Sequence, residues 1–60
     1  MKDYVVSFEI DGETHKLEFS DEVGNAEVRK INAKVWIDDY IKQNFNGERK
    51  IYRIIGINEI

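Results

Sequence analysis

YVVSFEIDGETHKLEF, running from Tyr4 to Phe19, sets two alternating apolar runs on either side of Asp11-Gly12, and its reading decides the fold. Asp and Gly tolerate the positive φ angles that both central residues of a type I′ turn require, so this pair is a strong signal for a two-residue β-hairpin. The register follows by counting outward. Ile10 faces Glu13, Phe8 faces His15, Val6 faces Leu17 and Tyr4 faces Phe19, which gathers the apolar residues on one face. Glu9 with Thr14, Ser7 with Lys16 and Val5 with Glu18 form the other face, where only Val5 is apolar. A slip of one residue would mix the two faces, so turn chemistry and alternation specify the same hairpin.

Beyond the hairpin, Ser20-Asp21-Glu22 offers a helix N-cap with acids in the first turn, and Gly24-Asn25 offers a second start. The spacing predicts a helix from about Asn25 to Phe45, stopped by Asn46-Gly47, since both residue types accept the left-handed conformation that ends helices. Arg49 to Asn58 is rich in Ile and Tyr and reads as a third strand, with Gly56 marking a bulge. The expected fold is therefore α+β, a ββαβ two-layer sandwich. Its three-stranded antiparallel sheet has order 2-1-3, with the most apolar strand central and one helix covering one face.

The helix carries two apolar stripes. Ala33, Ile37, Tyr40 and Ile41 share the face expected to meet the sheet, with Ala26 extending it and Trp36 and Phe45 at its borders. Val28, Ile31 and Val35 form a second line nearly opposite Ile37, and one sheet cannot bury both. Val5 and some of Ile51, Ile55 and Ile57 are likewise expected to stay uncovered, because both parities of the third strand are apolar.

Sixty residues make one domain, spanning residues 1–60, close to the lower size limit for independent folding. The absence of Cys excludes disulfide staples and Cys-based zinc sites and fits a reducing interior. No apolar run approaches membrane length, and Met1-Lys2-Asp3 leads into a strand without a secretory segment, so a cytoplasmic location away from membranes is expected. The net charge of −3 is unevenly spread. Residues 1–27 hold eight acids against two bases, a net of −6, and residues 28–60 hold four against seven, a net of +3. Such a split orients encounters with charged partners.

Catalytic chemistry finds no constellation. His15 is the sole histidine and faces Phe8, which suits a residue capping the core edge better than a general base. Asp38-Asp39 diverge by about 100° on a helix and do not converge on a metal. Asp11-Gly12-Glu13 lacks the further oxygen ligands of a calcium loop, and no glycine pattern cradles phosphate. No catalytic residue, metal or cofactor is assigned, and the chain is read as a non-enzyme.

Spare apolar surface on a small protein points instead to protein contact, with a partner or with a second copy in a homodimer. The contact residues so indicated are Val28, Ile31, Val35 and Trp36 on the helix and Glu9, Asp11 and Glu13 on the acidic hairpin, where Glu18 adds charge. In size and acidity the chain resembles small phage and mobile-element proteins that inhibit host enzymes, which implies a regulator engaging a basic groove. The second reading is single-stranded nucleic-acid binding on the sheet through Arg49, Lys50, Tyr52 and Arg53, a mixture of cations and an aromatic, opposed by the acidic balance.

Overall fold

The computed structural model describes residues 1–22 and 24–60. Strands β1 (Lys2–Ile10) and β2 (Glu13–Asp21) form the hairpin, helix α1 spans Ala26–Asn44, and β3 (Tyr52–Glu59) completes an antiparallel sheet of order β2-β1-β3. Asp11 has φ 51° and Gly12 φ 83°, the doubly left-handed turn that Asp-Gly favours. The nine β1–β2 pairs from Lys2–Asp21 to Ile10–Glu13 run unbroken in the register the turn dictates.

Tyr4, Val6, Phe8 and Ile10 from β1, Phe19 from β2, and Ala33, Ile37 and Ile41 from α1 make the buried core. Leu17, Tyr40, Phe45, Tyr52, Ile54 and Ile57 close its margins. Phe8 is the hub, stacked on His15 at 5.7 Å and met edge-on by Tyr40 at 5.5 Å and Tyr52 at 6.4 Å. Such ring pairs add to the burial of the rings themselves.

The third strand solves its double parity with a bulge. Ser7 pairs with Gly56 but Phe8 pairs with Ile54, so Ile55 is the extra residue. Tyr52 and Ile54 before it and Ile57 after it can thereby all pack on the core, although their parities differ. Ile55, 53% exposed, and half-buried Val5 remain without a covering layer. The strand begins at Tyr52 rather than Arg49 because Tyr52 already pairs with Ile10, the last residue of β1, which leaves Ile51 without a partner strand and 93% exposed.

Both ends of the helix have local causes. Asn25 Oδ1 accepts from the backbone N–H of Glu27 at 2.8 Å and of Val28 at 3.4 Å. Ser20 and Asp21 cannot cap, since β2 runs through them. At the far end Phe45 N–H donates to Ile41 O, and Asn46 and Gly47 are both left-handed. One expectation for the inner face fails: Ala26 is exposed. The contact at this end of the helix is polar, with Asn32 Nδ2 donating to buried Asp21 at 3.0 Å and Arg29 Nε 3.4 Å from the same carboxylate. The Arg29 guanidinium also lies 4.3 Å from the centre of the Tyr4 ring.

Gly12 is open space to an added Cβ, so Gly12→Ala tests the turn conformation alone. It should cost about 1 kcal/mol by urea unfolding. Gly56→Ala also meets open space and lacks the left-handed constraint, and it should be neutral or stabilising by up to about 1 kcal/mol.

Candidate functional site

On the outside of α1, Ile31 is 59% and Val35 62% exposed, while Val28 is half-buried. These three occupy one line along the helix, and no bend of the chain tucks Ile31 beneath the sheet. Trp36, 47% exposed, stands on the flank toward β2 and shares an open hollow of about 390 Å³ with Glu18, Phe19, Ser20, Asp3 and Ile60. The sequence placed Trp36 at the border of the inner stripe, and that is where it sits.

The hairpin acids are separate from this surface. Glu9 lies on the sheet face away from the helix, 3.5 Å from Arg53. Asp11 in the turn meets Lys50 at 3.3 Å, and Glu13 lies 3.7 Å from His15 Nε2. Glu9 and Asp11 each meet a cation, so the acidic ribbon presents less unopposed charge than its composition suggests. The Lys50 ammonium is held above the ordinary lysine range, first by its hydrogen bond to Asp11 and the charge of that carboxylate, then by Glu48.

The nucleic-acid set does not assemble into a platform. Tyr52 packs toward the helix against Phe8, whereas Arg53, its neighbour in β3, points to the opposite face and pairs with Glu9. Lys50 is engaged by Asp11 and Glu48, which leaves exposed Arg49 as the member of the set without an ion pair among the described residues. A stacking surface needs aromatic and cations on one side.

His15 is half-buried between Phe8, Tyr40 and Phe45, and its Nδ1 lies 3.0 Å from the Tyr40 hydroxyl. Its ring closes the core edge at the turn end of the sheet. Asp38 and Asp39 diverge, the first toward the Tyr52 hydroxyl and the second accepting from Gln43 at 2.9 Å. Among the described residues, no group of three or more His, Asp or Glu is placed to hold a metal ion, and no helix is long and apolar enough to cross a membrane.

Sequence reasoning missed the Asp21–Arg29–Asn32 clasp. Its only signal was an acid at the end of β2 and an i, i+3 pair of polar residues, where the apolar pattern suggested Ala26 as the inward residue. Comparison with protein families, with characterised proteins and with solved structures finds no match to this chain.

Partial burial, with the nearby Asp38 carboxylate second, raises the Tyr52 phenol above its ordinary value of 10.0. A raised tyrosine favours the folded state fully below pH about 10, and that contribution disappears as the pH climbs through the folded-state pKa. Ultraviolet titration should therefore show a late-ionising phenol that Tyr52→Phe removes. Asp38→Asn should lower the elevation and leave the part that burial supplies. A separate titration of fluorescent single-stranded oligonucleotide at low salt, where phosphate attraction is greatest, should show no saturable binding.

Proposed function

We propose that this chain is a non-enzymatic, cytoplasmic protein-interaction module, a small regulator or inhibitor of phage type, that meets its partner with the outer face of α1. The observation that carries the reading is the exposure of Ile31 and Val35 along one line of a helix whose opposite face already supplies the core. Val28 extends that line, and Trp36 adds an aromatic at its flank, the residue type most enriched among binding hot spots. Removing such side chains from water on association is favourable at roughly 25 cal/mol per Å² of apolar surface, before the costs of binding. Glu9, Asp11 and Glu13 act at longer range. They lie away from the apolar line and orient the approach of a basic partner surface.

Val35→Asp tests the reading. Because Val35 is mostly exposed, the variant should fold with a stability change within about 0.5 kcal/mol. Immobilised wild-type protein should retain a specific partner from host lysate that the variant fails to retain. Unfolding of the variant would assign Val35 to the core, and equal retention by both proteins would remove the helix face from the interaction.

A further inference from the structure

The sheet has two edges, and they differ. The β3 edge is interrupted by the bulge at Ile55, which twists an edge away from further pairing. The β2 edge is nine residues long, contains no Pro and is unbroken in register. Its outward backbone groups can be identified. Ile60 N–H donates to Asp3 O at 2.9 Å, so odd-numbered β1 residues turn their backbone groups to β3 and even-numbered ones turn to β2. The β2 residues opposite those even-numbered partners are Glu13, His15, Leu17, Phe19 and Asp21. It follows that Thr14, Lys16, Glu18 and Ser20 direct their N–H and C=O groups to the free edge.

We infer that β2 pairs antiparallel with β2 of a second copy of this chain about a two-fold axis at Leu17, making a continuous six-stranded sheet. The argument is charge complementarity in a discrete set of registers. Outward groups must meet outward groups, so only shifts of two residues between the copies are allowed. An axis at Lys16 sets two lysines against each other, and an axis at Glu18 sets two glutamates. An axis at Leu17 places Lys16 opposite Glu18 of the second copy twice, once on each side, and Thr14 opposite Ser20. Lys16 and Glu18 are exposed on the uncovered face and, unlike Glu9 and Asp11, have no ion-pair partner among the described residues.

On the helix side the same axis brings half-buried Leu17 against its own copy and sets His15 opposite Phe19. Trp36 shares a hollow with Glu18, Phe19 and Ser20 of this edge, so pairing there changes its surroundings. Glu13 falls opposite Asp21 at the two ends of the pairing, where Asp21 is already held by Arg29 and Asn32. A lysine on an edge strand ordinarily discourages self-pairing. Here the glutamate two residues further on supplies the matching charge in one register alone. This contact uses the sheet edge and leaves Ile31 and Val35 free for a different protein.

Sedimentation equilibrium across a wide concentration range, with Trp36 fluorescence as the second readout, tests the inference. The wild-type chain should move from its 7.1 kDa monomer to twice that mass as concentration rises. Lys16→Glu and Glu18→Lys, both at exposed positions, should each keep the fold by circular dichroism and raise the dimer dissociation constant about tenfold or more, because two attractive cross-strand pairs become repulsive. An equimolar mixture of the two variants should restore dimerisation, since each supplies the charges the other lacks. A wild-type chain monomeric at every concentration would overturn the inference, as would a dimer indifferent to both reversals. Either result leaves the helix-face reading standing, because Val35→Asp tests that separately.

Discussion

The doubly left-handed turn at Asp11 and Gly12 is the constraint on which the remaining structure depends. By fixing Ile10 opposite Glu13 it commits every even-numbered residue of β1 to the helix side, and those residues supply half of the buried core. The same commitment determines which backbone groups of β1 are left for β3. A one-residue change at this turn would exchange the faces of a whole strand, not adjust one contact. In a chain this short no second core could compensate.

The third strand shows a different answer to the same periodicity. Its apolar residues do not alternate cleanly, and a regular strand would bury Ile54 at the expense of Ile57 or the reverse. One extra residue at Ile55 changes the parity between them, so both reach the core while Ile55 itself remains outside. The bulge also makes that edge a poor template for pairing, leaving β2 as the regular edge of the sheet.

The hairpin, the strand order and the helix limits were legible because each rests on local chemistry: an Asp-Gly turn, a two-residue period, an Asn cap and an Asn-Gly stop. The bulge was signalled by Gly56, although the residue that bulges is Ile55. The start of β3 was not legible from its own composition, since it is set by where β1 ends. The inward face at the N-terminal end of α1 was misread for a related reason. Helical spacing points Ala26 inward, but a polar clasp on Asp21 positions this end of the helix, and hydropathy carries no sign of it. Candidate site residues were legible only as types. Glu9, Asp11, Lys50 and Arg53 read as free charges in sequence and are cross-strand or cross-loop neighbours in space.

That clasp bears on why apolar side chains stand on the outside of the helix. Arg29, Asn32 and Asp21 hold the N-terminal half of α1 to the end of β2 and to the Tyr4 ring, and Ala33, Ile37 and Ile41 hold the rest to β1. Neither set involves Ile31 or Val35. The fold therefore does not depend on their hydrophobicity, and exposed aliphatic surface adds nothing to the packing of the monomer. Val28, half-buried beside them, retains a share in packing. The acids of the turn show the converse. Glu9 and Asp11 pair with Arg53 and Lys50, so their charge is spent partly on joining the hairpin to the β3 strand and the loop before it, and the apolar face is left as the surface with the least to do inside the molecule.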